Sequence, residues 1–470
     1  MLFHAKEIDP EAARTRPLSS MSPHSFRIQF SGGDPLIEAN DPSGKRYAAE
    51  YLQDLRNHGA LPQESIIVED SPRFLERGFM LDISRDRVPT QDSLYRLVKI
   101  LSKLRYNQLQ LYTEHTYSFK DHEQVWANAS PMTESEIREL EDICADHHIE
   151  LVPNQNCFGH MERWLRHSEY EHLAECPDGF QHPITGPREF GTTLFPSPES
   201  EVFVEEILSE VLPIFRSRKA NIGGDEPWEL GQGRSRDRAE REGKHEVYLS
   251  FLEKILSITE RLGKEPIFWA DIVLERPELV GRLPKQCVPA IWGYHPSHPY
   301  PEQCKIMAEA GFRGRFQVVP GTNTWNSFAG RLDHALENID IASEQGSAWG
   351  ARGLILTCWG DGGHHQSTSS AHPSLIHAAR KSWNGSDDLR GDLPDRIDEL
   401  FFPDQPSGSG EAVCALGQID DHLPYPNPNS SFLHKAFFAS RADLAGAVAP
   451  ISKEQLKAVE AALLEIPCEG

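Results

Sequence analysis

The feature that most limits what this chain can fold into is an alternation that begins at Arg77 and runs to Trp383. Short apolar runs are separated there by longer stretches in which apolar residues recur at helical spacing. Repeated βα units leave such a pattern, because parallel strands are buried on both faces and helices cross back over the sheet between them. Eight strands are predicted, at 77–83, 107–112, 150–153, 220–224, 266–269, 288–292, 316–319 and 353–358. Helices are predicted at 92–104, 133–147, 199–215, 245–262, 301–310, 331–345 and 373–383, with Thr133 and Glu136 spaced as a capping box. Eight such units in about 310 residues (76–385) match the size of a (β/α)8 TIM barrel. An open doubly wound sheet is the alternative, weakened because no GxGxxG run follows any strand. Ahead of the barrel, residues 1–75 read as a leader with a helix at about 47–57 and a β-rich run at 65–69. After residue 385 Pro and Gly cluster (Pro403, Pro406, Gly408, Gly410, Pro424, Pro426, Pro428), and helical patterns return at about 432–447 and 453–464. Residues 386–470 are therefore expected to form a small, mainly helical C-terminal appendage reached through a wrapped loop.

A barrel of this kind carries its chemistry at the C-terminal ends of the strands. Polar and aromatic residues should then gather just after each strand, and they do. The first strand leads to Asp82 and Arg85, the second to Tyr112, Glu114 and His115, and the third to Asn154, Gln155, Asn156 and His160. The fourth leads to Asp225 and Glu226, the fifth to Trp269 and Asp271, and the sixth to Trp292, Tyr294 and His295. The seventh leads to Asn323 and Trp325, and the eighth to Trp359, Asp361 and His364. Four tryptophans among carboxylates, amides and histidines describe a sugar pocket, in which indole faces cover the C–H faces of a pyranose and polar groups take its hydroxyls.

Asp225-Glu226 is the candidate catalytic pair. Neighbouring side chains on a regular strand point to opposite faces, so both could not normally enter one pocket. Gly223-Gly224 just before them relaxes the backbone and lets the carboxylates converge. Two adjacent carboxylates in a partly desolvated site split their pKa values, leaving one as acid and the other ionised.

Charge and composition exclude other classes. Lys+Arg total 47 against 71 Asp+Glu, a formal charge of -24 that repels phosphate backbones and anionic lipid. No nucleic-acid or membrane partner is expected, no run approaches membrane-spanning length, and the first thirty residues carry no apolar signal-like stretch. The eight cysteines (Cys144, Cys157, Cys176, Cys287, Cys304, Cys358, Cys414, Cys468) are scattered without a CxxC, which fits a reducing cytoplasm. His364-His365 near Asp361 lacks a third spaced ligand, so neither metal nor cofactor is expected.

The run Asn221-Ile-Gly-Gly-Asp-Glu226 resembles the His-x-Gly-Gly-Asp-Glu mark of glycoside hydrolase family 20. The run from Arg77 to Arg85 is similar to that family's opening barrel strand, and Phe158-Gly-His-Met-Glu162 to its Gly-His segment, most like the hexosaminidase D-like and related bacterial branch. The stretch 65–74 resembles the tail of the small α/β domain that precedes this barrel in the family, so residues 1–75 are expected to hold only a short, reduced α/β remnant of it. The resemblance implies a retaining exo-β-N-acetylhexosaminidase acting on an oligosaccharide or glycoconjugate that ends in N-acetylhexosamine. It implies substrate-assisted catalysis, in which the substrate's acetamido carbonyl attacks the anomeric carbon and forms an oxazolinium ion. Asp225 would then orient the acetamide and Glu226 would act as acid and base. His160 would support Glu226 with Glu114 behind it, Arg77 would hold sugar hydroxyls, and Trp359 and Asp361 would stack on and bind the sugar. Tyr294 would donate to the acetamide oxygen, and Trp269, Trp292 and Trp325 would complete the walls. Asn221 stands where the family has His, and Asp361 where many members carry Glu, which leaves gluco or galacto preference open. Two rivals remain at this point: a two-carboxylate barrel glycosidase with Asp271 or Asp361 as nucleophile, and a non-catalytic sugar-binding protein on the same fold.

Overall fold

Eight parallel strands close into a barrel in the computed structural model, which describes Phe3 and residues 6–8, 21–183, 186–385, 390–405, 408–424 and 430–466. Pro406, Pro426, Pro428 and Cys468, singled out above, lie outside the described residues.

The chain starts with a small antiparallel sheet of β1 (Lys6–Ile8), β2 (Phe26–Phe30), β3 (Leu36–Ala39) and β4 (Ile66–Asp70), in the order β1-β4-β2-β3. The expected helix and β-rich run are both present, and three further strands complete the sheet, so the segment carries more of an α/β unit than the remnant read from the sequence. Its signal was the period-two pattern of β2, where Phe26, Ile28 and Phe30 are buried and alternate with Arg27 and Gln29. The helix Pro42–Asn57 covers this sheet, capped by the Asp41 side chain on the Gly44 amide. The unit docks on the barrel's N-terminal end, where Trp383 donates its indole N–H to Asp70 at 2.7 Å and stacks edge-on against Tyr47.

The barrel strands are β5 (Glu76–Asp82), β6 (Gln108–Thr113) and β7 (Glu150–Gln155), then, after the hairpin β8 (Phe180–His182) and β9 (Gly186–Arg188), β10 (Lys219–Asn221), β11 (Glu265–Trp269), β12 (Val288–Trp292), β13 (Gln317–Val319) and β14 (Gly353–Cys358). The strand pairing of β14 with β5 closes the cylinder. All eight predicted strands are present. The fourth stops at Asn221 rather than 224, because Gly223 and Gly224 adopt φ of 74° and 93° and leave the extended region. Helices run between the strands, and Thr133 and Glu136 form the expected capping box at Glu134–Asp146. The interior is packed rather than open: Met80, Val152, Ile267, Val288, Val319 and Ile355 fill it beneath an aromatic layer of Tyr112, Trp269, Tyr294, Trp325 and Trp359. Burial of each such aliphatic side chain stabilises the fold by about 1.5–3 kcal/mol.

Beyond the last barrel helix, His372–Trp383, come helices Leu393–Phe401, Ser409–Gly417, Phe432–Phe438, Leu444–Val448 and Lys453–Glu465. The helix predicted over 432–447 is broken in two. Ser440 accepts from the Asp443 amide and donates to the Asp443 carboxylate, a local turn that competes with helical bonding. Ser431 ties this region to the barrel, its amide donating to the Asn326 carbonyl at 2.9 Å and its hydroxyl to Asp420 at 2.7 Å.

Candidate active site

A cavity of about 780 Å³ opens at the C-terminal ends of the strands. Asp225 and Glu226 lie on one wall, just past β10. The backbone there is arranged by three left-handed residues, Gly223, Gly224 and Glu226, the last at φ 48°. Asn221, where the family motif has His, accepts the Gly223 amide on its Oδ1 at 3.0 Å and so supports the turn. Gly159 is required opposite, since a Cβ there would sit 2.4 Å from the Asp225 carbonyl oxygen.

The two carboxylates share one cation. His160 Nε2 lies 3.3 Å from Asp225 Oδ2 and 3.5 Å from Glu226 Oε2. Asn156 donates to Asp225 Oδ1 at 3.2 Å and to the Tyr112 hydroxyl at 3.1 Å. Burial disfavours the His160 charge, but Asp225 and Glu226 outweigh it and raise the imidazole to about 10. Burial pushes Asp225 up, yet His160 and Arg85 reverse this, so its net direction is down. Glu226 moves the other way: burial, with the charges of Asp225 and Asp361, raises it against the pull of His160 and Arg85. The two pKa values are thus pushed apart, Asp225 towards its ionised form and Glu226 towards its protonated one.

Asp271 sits behind them. Its Oδ2 accepts the Glu226 amide at 3.3 Å and its Oδ1 the Trp292 indole N–H at 3.3 Å. Burial, then Asp225 and Glu226, raise its pKa well above the usual carboxylate range.

Aromatic rings make the rest of the wall. Trp292 stacks on Tyr294, with centroids 5.3 Å apart, and Trp325 meets Tyr294 edge-on at 5.0 Å. Trp359 donates its indole N–H to the Tyr294 hydroxyl at 2.7 Å. Trp269 lines the cavity too, and its buried Nε1 has no hydrogen-bond partner among the described residues. A buried donor of this kind costs about 1–3 kcal/mol unless a ligand or water accepts from it. Asp361 also lines the cavity, its pKa raised mainly by burial.

Of the residues expected at the site, Asp225, Glu226, His160, Glu114, Trp269, Trp292, Tyr294, Trp325, Trp359 and Asp361 all line this cavity. Glu114 accepts from the Tyr112 hydroxyl at 2.9 Å and pairs with Arg85 at 3.0 Å; burial raises its pKa, and the charges of Arg85 and His160 pull against that rise.

Arg77, expected to hold sugar hydroxyls, does not line the cavity. It lies at the start of β5, and the five residues to Asp82, at about 3.3 Å each, put it roughly 17 Å below the strand's outer end. Its guanidinium is buried and donates to the carbonyls of Phe74 and Arg105 and to the Tyr47 hydroxyl. Arg85, beyond the other end of the same strand, lines the pocket. It pairs with Asp82 at 3.1 Å and Glu114 at 3.0 Å, and its guanidinium lies over the rings of Tyr112 and Trp359. Trp228, Glu162, His182, Arg188 and Asn326 from loops and the β8–β9 hairpin also line the cavity, as do Ser430, His434 and Lys435 from the C-terminal region.

The profile of glycosyl hydrolase family 20, catalytic domain, matches residues 74–313. The chain belongs to this family. It is 24% identical over 297 residues to a β-hexosaminidase of Akkermansia muciniphila, a match covering 56% of this chain and 60% of that one. It is 25% identical over 254 residues to human hexosaminidase D, covering 48% of each. The chain thus spans about half to three-fifths of the length of these two relatives. Among solved structures, the Flavobacterium johnsoniae chitobiase superposes with a TM-score of 0.63 at 18% identity, covering 85% of this chain and 61% of that one. The Streptomyces plicatus N-acetyl-β-hexosaminidase does so at 0.56 and 18%, covering 81% and 80%. These likenesses place the family-20 barrel in the same fold.

Proposed function

We propose that this family-20 chain is a retaining exo-β-N-acetylhexosaminidase that works by substrate-assisted catalysis. The observation that carries the reading is the divided pair: Asp225 held ionised by His160, beside Glu226 held towards its protonated form, in a cavity walled by indoles. A terminal N-acetylhexosamine bound there places its acetamido carbonyl oxygen to attack C1. The bond from C1 to the leaving oxygen breaks as Glu226 gives that oxygen its proton. Asp225 faces the acetamide nitrogen and the positive charge that develops on the oxazolinium ring. Glu226, now a carboxylate, then takes a proton from water as the water oxygen attacks C1 and the ring reopens. Two inversions at C1 leave its configuration retained. Arg85 and Asp361 are proposed to take sugar hydroxyls, Tyr294 to meet the acetamide oxygen, and His160 to steady the pair.

Two features weigh against a two-carboxylate mechanism. Both oxygens of Asp271 are engaged by the Glu226 amide and the Trp292 indole, and burial raises both Asp271 and Asp361, which weakens them as nucleophiles. The substrate is accordingly a glycan or glycoconjugate ending in β-linked N-acetylhexosamine, with no nucleic-acid or membrane partner. No described helix is long and apolar enough to cross a membrane, and the seven described cysteines are free thiols, which suits the proposed cytoplasmic location.

Aryl β-N-acetylglucosaminide and β-N-acetylgalactosaminide, each beside the sugar lacking the N-acetyl group, test the proposal. Release of the aryl group is expected only from the N-acetylated pair, and Glu226→Gln should lower kcat on a poor leaving group by about 10²–10⁴. Equal turnover of the plain glucoside would return the two-carboxylate reading, and binding without any release would return the sugar-binding protein.

A further inference from the structure

We propose that Phe328, Phe437 and Phe438 form a second sugar-binding surface, a platform at the pocket mouth that carries the saccharide on the leaving side of the scissile bond. The inference rests on the hydrolase reading above. Beneath the pocket the barrel is filled by Met80, Val152, Ile267, Val288, Val319 and Ile355, so whatever follows the bound sugar leaves only through the mouth. The C-terminal side of that mouth is built by Asn326, His434 and Lys435. The three phenylalanines belong to the same two segments: Phe328 follows Asn326 by two residues, and Phe437 and Phe438 lie one helical turn beyond His434.

The rings are in mutual contact and continuous with the pocket. Phe328 meets Phe437 at 5.3 Å and 87°, and Phe437 meets Phe438 at 5.1 Å and 77°. Both Phe328 and Phe438 touch the ring of His434, at 5.4 and 4.8 Å, and His434 itself lines the cavity. Phe438 also stacks on His365 at 4.5 Å. Yet Phe328 remains 43% exposed, Phe437 72% and Phe438 51%. Aromatic faces held in water beside a sugar pocket offer what the C–H faces of further pyranose rings stack on. Phenylalanine adds no hydrogen bond, so the platform tolerates different sugars. The three rings expose on the order of 300 Å² in all, well short of the roughly 800 Å² per partner that a stable subunit interface buries. That difference favours a glycan over a second copy of the chain.

The test compares two substrates of the intact protein: a β-linked trisaccharide of N-acetylhexosamine, and the N-acetylhexosaminyl fluoride, whose leaving group is one atom and cannot reach the platform. In Phe437→Ser, Phe328→Ser and the double variant, the ratio of kcat/KM on the trisaccharide to that on the fluoride should fall about three- to tenfold per ring. An unchanged ratio overturns the proposal. So does an unchanged ratio accompanied by a shift in elution volume, which would make the patch a subunit interface. If the parent hydrolyses neither compound, it is the hydrolase reading that fails. The platform is then decided by calorimetry, from the ratio of Kd for the trisaccharide to Kd for the free monosaccharide in the same variants, where no change again overturns it.

Discussion

Gly223→Ala isolates the link between backbone geometry and the chemistry of Asp225. At φ 74°, an L side chain at this position costs about 1–2 kcal/mol. Its Cβ would lie 2.2 Å from Asn156 Oδ1, whereas ordinary contact begins at 3.4 Å, so the amide must withdraw by about 1.2 Å. That movement stretches the 3.2 Å bond from Asn156 to Asp225 past hydrogen-bonding range. A bond to a charged acceptor contributes about 1.5–3 kcal/mol, and an ångström of misplacement in a positioned group costs about 10² in rate. Gly223→Ala is therefore expected to lose about 2–4 kcal/mol of stability in urea unfolding and about 100-fold in kcat on an aryl N-acetylhexosaminide. Gly224→Ala is the internal control. Its φ of 93° carries comparable strain, but the nearest atom to its Cβ is the Tyr248 hydroxyl at 3.4 Å, so stability should fall with a much smaller loss of kcat. In an Asn156→Ala background the obstruction is gone, and adding Gly223→Ala should cost little further rate. Undiminished kcat in Gly223→Ala, or rate losses that simply add in the double variant, would refute the reasoning.

Much of this site was readable before any coordinate because the barrel turns a one-dimensional signal into a place. Each strand is short and apolar, so its end is marked by the first run of polar residues, and in a closed parallel barrel all eight ends face the same mouth. Asp225, Glu226, His160 and the four tryptophans were found that way. Arg77 shows how the rule is misapplied. It came from likeness to the family's opening strand, although the strand-end rule itself pointed eight residues on, to Arg85. Counting 3.3 Å per residue along β5 separates the two arginines without any structure.

Other parts carried no such mark. The bond of Asp271 to a backbone amide is made across to the segment that follows the preceding strand, and nothing in the run Trp269-Ala-Asp271 specifies that partner. Ser430, His434 and Lys435 reach the pocket from more than sixty residues beyond the last barrel strand. Helical periodicity locates the segment 432–438 but not the surface it packs on, since that is set by Ser431 meeting Asn326 and Asp420. Trp228 is the intermediate case: two residues past the pair, it satisfied the strand-end rule and was passed over beside four other indoles.

Further outcomes follow from the same contacts. Arg77→Met should lower stability by about 3 kcal/mol in urea unfolding, since its bonds to the Phe74, Leu75 and Arg105 carbonyls and the Tyr47 hydroxyl are lost, while KM stays unchanged; Arg85→Met should raise KM. Asp271→Ala leaves the Glu226 amide and Trp292 indole without an acceptor and should lower kcat about 10–100-fold, with Asp271→Asn recovering part of it because the amide oxygen can still accept one bond. The last concerns His160, whose folded pKa of about 10 lies above the 6.5 of an unperturbed imidazole. A base raised by folding contributes stability that is fully present below about pH 6.5 and lost as pH rises through about 10. The His160 ring should accordingly keep its proton through pH 8, as seen in imidazole ¹⁵N shifts, and stability should decline between those two values. Asp225→Asn removes the first of the charges that hold the proton, so the titration should move down towards the ordinary range and the decline should flatten. A His160 resonance titrating near 6.5 in the parent protein would mean that Asp225 is not its ion-pair partner, and the division of the pair into anion and acid would lose its cause.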